Sequence, residues 1–89
     1  MKTNYLPSFI KDLKALKSSP VYIRIKTLVF ETIVNYNSIQ EIRNLKKLKA
    51  EDNAYRIRVG DYRIGILVEE DCIIFARVAH RREFYRYFP

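Results

Sequence analysis

Residues Tyr55 to Val68 have the sequence YRIRVGDYRIGILV. Apolar side chains alternate with basic or small ones on both sides of Gly60-Asp61, and a period of two is typical of β-strands. A Gly-Asp pair between two such runs favours a two-residue hairpin turn. With that turn, Arg58 faces Arg63 across the strands, so the hairpin has one apolar face and one arginine-bearing face.

This arrangement brings like charges together. Like charges directly opposite one another destabilise an antiparallel pair, so we expect an acidic side chain or an anionic ligand to compensate Arg58 and Arg63. Arg56 is expected to face Gly65, where the missing side chain leaves room for another group to approach. The pattern predicts an anion-binding surface. The alternative is an amphipathic sheet that simply exposes its arginines to water.

Residues that favour β-structure continue downstream of the hairpin. Cys72–Ala79 is dense in them, which predicts a third strand after an acidic turn. If this turn also has two residues, Val78 faces Arg63. By the same register His80 faces Asp61. The residues that follow then lie at the same end of the sheet as the arginine pair.

Upstream of the hairpin, apolar residues recur at helical spacing. Ser8 is a good N-cap, Ser19-Pro20 is a typical helix start, and Ser38 with Glu41 matches a capping box. The remaining predicted elements are a strand at Lys2–Leu6, helices at Ser8–Lys17, Pro20–Tyr36 and Ile39–Leu45, and a last helical turn within His80–Phe88. This order predicts an α+β domain whose sheet packs on an N-terminal helical hairpin.

Length and composition exclude several classes of protein. The chain has 89 residues, 48% of them hydrophobic, which suits one small folded domain over residues 1–89. The single Cys72 cannot form an internal disulfide, and one histidine without a cysteine cluster argues against a metal site. No apolar stretch approaches the ~18 residues of a membrane span. We therefore expect a cytoplasmic protein with no cofactor and no membrane contact.

The net charge of +7 indicates a polyanionic partner, and the type of base changes along the chain. Lysines end at Lys49, and every base after Tyr55 is an arginine. Because the planar guanidinium favours phosphate recognition, the C-terminal half is predicted to carry the site. The lysines at positions 46, 47 and 49 are either a solvated face or a nucleic-acid contact. Arg77 lies within an apolar strand, where an internal ion pair or a contact with a partner protein would explain it.

Two motifs in the C-terminal half resemble those of RelE-type toxins of bacterial toxin–antitoxin modules. One is the hairpin sequence YRIRVGDYRI, residues 55–64, and the other is RVAHRREFY, residues 77–85. The segment IRNLKKL, residues 42–48, is also similar to the one that leads into the family's hairpin. The resemblance covers nearly the whole chain. Its motifs are specific to the RelE/ParE superfamily but separate the branches of that superfamily less sharply.

The resemblance implies a β-α-α-β-β-β order with a concave antiparallel sheet, and it implies a function. RelE-like toxins cleave messenger RNA in the A site of the 70S ribosome, through metal-independent attack of a ribose 2′-hydroxyl on the adjacent phosphodiester. A cognate antitoxin silences the toxin, and operator DNA is contacted only indirectly through their complex. The alternative is a ParE-like toxin that binds DNA gyrase and cleaves no RNA. That branch generally lacks the set Arg58, Arg63, Arg81 and Tyr85.

The resemblance also assigns roles to residues. Arg58 and Arg63 are expected to stabilise charge on the phosphate, and Arg81 to stabilise charge or protonate the leaving oxygen. Well-known members carry lysines where this chain has arginines, and an arginine is a poor general base. The expected proton acceptor is therefore His80, with Tyr85 as second choice or as a group that stacks on a nucleobase. The residues expected to contact RNA are Arg56, Lys46, Lys47, Lys49 and Arg82.

Overall fold

The predicted hairpin lies inside a five-stranded sheet. The computed structural model describes residues 1–89. Its strands are β1 (Lys2–Tyr5), β2 (Leu45–Lys47), β3 (Ala54–Val59), β4 (Tyr62–Glu69) and β5 (Cys72–His80). Its α-helices are α1 (Pro7–Lys14), α2 (Val21–Thr27) and α3 (Phe84–Tyr87). None of these helices is long and apolar enough to cross a membrane.

The strands lie in the order β1-β5-β4-β3-β2. Three of the four strand pairs are antiparallel, whereas β1 runs parallel to its neighbour β5. The predicted α+β class is confirmed, and so is the short helix at the C-terminal end. The sheet departs from the prediction in its parallel edge pair and in the additional edge strand β2.

The hairpin itself has the predicted turn and register. Gly60 has a φ of +60°, a conformation that glycine adopts without strain. Arg58 pairs with Arg63, and Arg56 pairs with Gly65, as the alternation predicts. The apolar residues between them face the other side of the sheet, where they are buried.

Strand β5 departs from the predicted register. A β-bulge at Gly65 and Ile66 leaves one extra residue in β5, so Ala79 and not Val78 pairs with Arg63. The prediction assumed unbroken pairing after a two-residue turn. Because side chains alternate along a strand, the extra residue changes the side of the sheet that each residue at the end of β5 faces, relative to the predicted register.

Helix α1 starts without the predicted serine cap. Leu6 occupies the N-cap position, and Pro7 opens the first turn, where its missing N–H is not needed. Ser8 lies inside the helix, and its Oγ donates to the carbonyl of Ala76 at 2.7 Å. The Ser8 cap was therefore a wrong prediction, because the proline before it begins the helix.

The second predicted helix is continuous but changes its winding. After Pro20 at the N-cap, α2 passes into a π-helical turn at Leu28–Thr32 and a 3-10 turn at Ile33–Asn35. The hydroxyl of Tyr5 donates to the carbonyl of Val29 in the π-helical turn at 2.6 Å. This hydrogen bond ties the first strand to the helical layer.

The segment after α2 differs most from the prediction. Ser38 and Glu41 form the expected capping box, but the helix that follows is a single 3-10 turn, Ile39–Glu41. The predicted helix over Ile39–Leu45 does not form, and Leu45–Lys47 is instead the edge strand β2, paired with β3. Pairing with an open strand edge overrides the local helical signal here.

The main core lies between the helical layer and the apolar face of the sheet. Phe9 and Leu13 of α1 and Ile25 of α2 pack in one cluster with Ile57 and Ile64 of the hairpin. None of these five side chains is more than 4% exposed. The predicted packing of an N-terminal helical pair on the sheet is confirmed.

A smaller apolar cluster covers part of the opposite face of the sheet. Phe84 and Phe88 pack there with Leu48, Ala54 and Ala76. Both rings are nearly inaccessible, with 0% and 4% exposure respectively. The α3 segment, which we define as residues 84–88, is thereby fixed on the side of the sheet that carries the arginines.

Asp12 fastens α1 to the edge of β5. Its carboxylate accepts hydrogen bonds from Nε and Nη2 of Arg77 at 2.7 and 3.1 Å, and from the N–H of Val78 at 3.1 Å. The pairing of β1 with β5 ends at Phe75, so this carboxylate takes the place of a strand partner. The Arg77 guanidinium also lies 4.8 Å from the centre of the Tyr87 ring. An internal ion pair therefore explains Arg77.

We expect Asp12→Ala to lower the free energy of unfolding by about 2 kcal/mol, because Arg77 and the N–H of Val78 lose their partner. Urea denaturation measures the change. Asp61→Ala is the matched control, since that carboxylate is 72% exposed and lies 3.8 Å from Arg81. The control substitution should lower the free energy of unfolding by only a few tenths of a kcal/mol. Equal effects of the two substitutions would contradict this account of how α1 docks.

Candidate active site on the arginine face

The side of the sheet opposite the helices carries three arginines. Arg56 and Arg58 extend from β3 and Arg63 extends from β4, and we call this surface the arginine face. Lys46 of β2 pairs with Arg56 and continues the row of cations to the sheet edge. The alternation that buries the neighbouring isoleucines directs these basic side chains to the other side.

No acidic side chain of the chain forms an ion pair with these arginines. The two ion pairs in the structure join Arg77 to Asp12 at 2.7 Å and Arg81 to Asp61 at 3.8 Å. No three His, Cys, Asp or Glu side chains lie close enough together to hold a metal ion. Of the two forms of compensation expected from the sequence, an acid supplied by the fold is therefore absent.

Arg63 is held firmly within this face. Its Nη1 donates to the carbonyls of Gly60 at 2.9 Å and Tyr62 at 3.0 Å. Partial burial lowers the pKa of the Arg63 guanidinium from its ordinary value, and the charges of Arg56 and Arg58 lower it further. An arginine remains protonated at neutral pH even so. Arg63 is thus a fixed cation in a repulsive cluster.

Arg81 and Tyr85 extend the cluster at one end of the sheet. Two smaller effects also act on the pKa of Arg63. The Tyr85 phenol raises this pKa, and the charge of Arg81 lowers it. Both groups therefore lie within electrostatic reach of Arg63. The N–H of Arg81 donates to the carbonyl of Asp61 at 2.7 Å, which holds it beside the hairpin turn. Tyr85 is 61% exposed and so is accessible to a ligand.

His80, the first-choice proton acceptor, lies on the other side of the sheet. It pairs with Tyr62, and the two rings pack edge to face with their centres 5.4 Å apart. Tyr62 contacts the main core, so this pair faces the helices. The Nδ1 of His80 also accepts a hydrogen bond from the N–H of Arg82 at 3.2 Å. Without the bulge, His80 would pair with Asp61 and face the arginines; the extra residue in β5 turns it away.

The residues predicted to contact RNA divide between two surfaces. Lys46 lies on the arginine face, but Lys47 points to the opposite side. There its Nζ donates to the carbonyl of Asp52 at 2.7 Å. Lys49 and Arg82 are exposed outside the strands. Their side chains form no hydrogen bond or ion pair with the arginine face.

The space above Gly65 is filled by the chain itself. A β-carbon at this position would lie 2.5 Å from Cγ of the Phe88 ring. The expectation that another group approaches this glycine is confirmed, and the group is the Phe88 ring. The pattern reveals that a group approaches the backbone at this point, but only the folded structure reveals which one.

Asn44 is a site residue that the sequence analysis missed. Its φ of +62° lies in the left-handed region, which asparagine tolerates better than most residues. Its carbonyl accepts from the N–H of Arg58 at 3.2 Å and from Nη1 of Arg56 at 3.3 Å. Its Oδ1 accepts from Nη2 of Arg58 at 3.4 Å. The available signal was an asparagine within the segment IRNLKKL, directly before β2, and its hydrogen bonds orient two of the arginines.

A groove of about 620 Å³ lies between α2 and β3, beside the arginine face. Its apolar lining includes Ile23, which is 65% exposed. Its basic lining consists of Arg24, Arg43 and Arg58, and no acidic residue lines it. An apolar surface bordered by cations suits a segment that carries both apolar and acidic side chains.

This domain has a helical pair on one face of a small sheet and arginines without acidic partners on the other. A family model described as the ParE toxin of the type II toxin–antitoxin system matches residues 4–85. The chain is also 47% identical to Toxin RelE3 of Methanocaldococcus jannaschii over 91 residues, which cover the full length of both proteins. The chain therefore belongs to the RelE/ParE superfamily and is a type II toxin of the RelE family.

Solved structures agree with this assignment. The RelB–RelE antitoxin–toxin complex from Methanococcus jannaschii matches with a TM-score of 0.79 and 46% identity, over 97% of this chain and 99% of that one. The Escherichia coli DinJ–YafQ complex matches with a TM-score of 0.74, over 94% of this chain and 97% of that one. At 16% identity, the second match shows the fold alone. The predicted fold family is confirmed.

We expect Arg58→Gln to raise the free energy of unfolding at low salt by a few tenths of a kcal/mol, because it removes repulsion against Arg63. The gain should shrink as salt is added, since ions screen the repulsion. Urea denaturation at two salt concentrations measures it. Lys17→Gln removes the same charge from an exposed position after α1 and should give no such gain. A less stable Arg58→Gln variant at low salt would show that these charges do not repel.

Proposed function

We propose that this toxin is a ribosome-dependent endoribonuclease that cleaves messenger RNA. The observation that carries the proposal is the unneutralised pair of Arg58 and Arg63, with Arg81 and Tyr85 at the same end of the sheet. An RNA strand supplies phosphates that would convert this repulsion into charge-assisted hydrogen bonds. The ribosomal A site is the setting that the likeness to RelE toxins implies.

The proposed reaction is an attack of a ribose 2′-oxygen on the adjacent phosphorus. The 2′-hydroxyl gives up its proton, the new P–O bond forms, and the bond to the 5′-oxygen breaks. The leaving 5′-oxygen takes up a proton, so the products are a 2′,3′-cyclic phosphate and a 5′-hydroxyl. Negative charge builds on the phosphorane oxygens, and preorganised cations stabilise it. Arg63 suits this role because two backbone carbonyls already hold its guanidinium in place.

Tyr85 is the group best placed for proton transfer. His80 faces the helices, and its Nδ1 is engaged with the N–H of Arg82. Among the groups that shift the pKa of Arg63, Tyr85 is the one that is not an arginine. Of these, only the phenol is able both to donate and to accept a proton in ordinary chemistry. Arg81 is assigned to the charge that develops on the leaving oxygen.

The other bases are assigned to holding the RNA. Arg56 and Lys46 continue the cationic row beyond Arg58, so they suit contacts to phosphates next to the scissile one. The other predicted contacts lie away from this face and add long-range attraction to a polyanion. They are Lys47, Lys49 and Arg82.

The proposed protein partner is an antitoxin, since the similar structures from M. jannaschii and E. coli are complexes with RelB and DinJ. The groove between α2 and β3 combines exposed Ile23 with three arginines, which suits an apolar and acidic segment. Arg58 belongs both to this groove and to the arginine face, so a bound segment would neutralise part of the site directly. Operator DNA is reached through the antitoxin, and the ribosomal substrate places the toxin in the cytoplasm.

Inhibition of DNA gyrase is the second candidate function, because the matching family model is that of the ParE toxin. Such an inhibitor needs a binding surface but no group for proton transfer. The grouping of Tyr85 with Arg63 and Arg81 favours the nuclease. Loss of supercoiling activity on addition of the toxin, with RNA left intact, would favour the inhibitor.

We expect Arg63→Ala to slow cleavage of messenger RNA on programmed ribosomes by at least ~100-fold, because removal of one preorganised donor to a developing anion typically has this effect. Circular dichroism and antitoxin binding should be unchanged. Lys17→Ala, a substitution far from the face, should cleave at the rate of the unsubstituted toxin. Full cleavage by Arg63→Ala would refute the proposed site.

Tyr85→Phe and His80→Gln separate the two candidate proton acceptors. Tyr85→Phe should lower the single-turnover rate by ~100-fold or more, since it removes the proton-transfer group. His80→Gln should keep the rate and its dependence on pH between about 6 and 8, the range in which histidine titrates. Tyr87→Phe controls for loss of a phenol from the same helix. A flattened pH profile in His80→Gln would restore the histidine as the acceptor.

A further inference from the structure

We propose that Gly65 is a positioning residue, whose bare backbone forms the seat for the Phe88 ring and so holds Tyr85 beside Arg63. The inference rests on the proposed nuclease function, because it assigns Gly65 a part in placing a reacting group. Gly65 does not itself contact the substrate in this account. It acts through the α3 segment.

The seat has no room for a side chain. A β-carbon on Gly65 would lie 2.5, 2.6 and 2.9 Å from Cγ, Cδ2 and Cδ1 of Phe88. These atoms belong to the ring and include its attachment point, so a turn of a flexible tip cannot relieve the overlap. The only glycine with a positive φ is Gly60. Gly65 is therefore required for space and not for an unusual backbone conformation.

The seat matters because Phe84 and Phe88 anchor the α3 segment to the sheet. Their ring centres lie 5.6 Å apart, and both side chains are buried in the smaller apolar cluster. Tyr85 stands between them in the chain and packs edge-on against Phe84 at 5.0 Å. A shift of the Phe88 ring away from the sheet would thus move the short helix that carries Tyr85.

A glycine is an unfavourable choice at this place on other grounds. Its strand neighbours are Arg56 on one side and Arg77 on the other. In the interior of a strand, alanine is generally more favourable than glycine because it loses less backbone freedom on folding. Gly65 lies beside the bulge and directly beneath a buried ring, and its φ is outside the left-handed region, so the close approach of the ring is what requires a glycine here.

The test compares Gly65→Ala, Tyr85→Phe and the double variant in cleavage of RNA on programmed ribosomes. Gly65→Ala should lower kcat at least tenfold with little change in KM, because the arginines that hold the RNA stay in place. In the Tyr85→Phe background the same substitution should have no further effect, since no phenol remains to be positioned. Cleavage by Gly65→Ala at the unsubstituted rate, or losses that multiply in the double variant, would overturn the proposal.

A second readout is independent of RNA cleavage. Trypsin cuts after arginine, and Arg82 and Arg86 are both exposed on either side of Tyr85. Gly65→Ala should be cut there several-fold faster, with unchanged cutting after Lys17 in the turn beyond α1. Equal rates of cutting in Gly65→Ala and the unsubstituted toxin would overturn the proposal that Gly65 holds the α3 segment in place through Phe88. Faster cutting combined with no RNA cleavage by the unsubstituted toxin would refute the nuclease function while leaving the seat established.

Discussion

Apolar packing beneath the hairpin forces Arg58 and Arg63 into a repulsive pair. The hairpin register sets the two residues directly opposite each other. The buried pair Ile57 and Ile64 enforces that register, because a slip of one residue would turn the core side chains into water. Apolar packing on one face thus maintains a cationic surface on the other, and no acidic side chain of the chain neutralises that surface.

The surrounding elements complete this surface. Asn44, in a left-handed conformation, orients the arginines of β3 from the open edge of the sheet. On the other side of the sheet's centre, the Asp12 carboxylate fixes α1 against β5 and forms an ion pair with Arg77. Arg77 therefore differs from the arginines of the arginine face, which have no acidic partner. The α3 segment packs over the remaining part of the face through Phe84 and Phe88, and Tyr85 lies between these two residues in the chain. The site is therefore assembled from both sides of the sheet's centre and from the C-terminal end of the sequence.

The hairpin and its arginine face were predictable because strict alternation and a Gly-Asp turn are local signals. The orientation of His80 toward the helices could not be predicted, because a bulge adds one residue to β5 without changing the alternation visible in the sequence. Strand β2 has only the residues Leu45–Lys47, too few to show a period, and the capping box before it favoured a helix. The seat at Gly65 depends on a contact between distant parts of the chain, which no local pattern contains.

Mapping the ends of messenger RNA on programmed ribosomes, after the purified toxin is added, tests the proposed nuclease function. A nuclease of this kind should leave breaks at the codon in the A site, with a 2′,3′-cyclic phosphate on the upstream fragment and a 5′-hydroxyl on the downstream one. Intact messenger RNA, together with loss of supercoiling activity in a parallel assay with gyrase, would contradict it. The arginine face would then be a binding surface without a reaction.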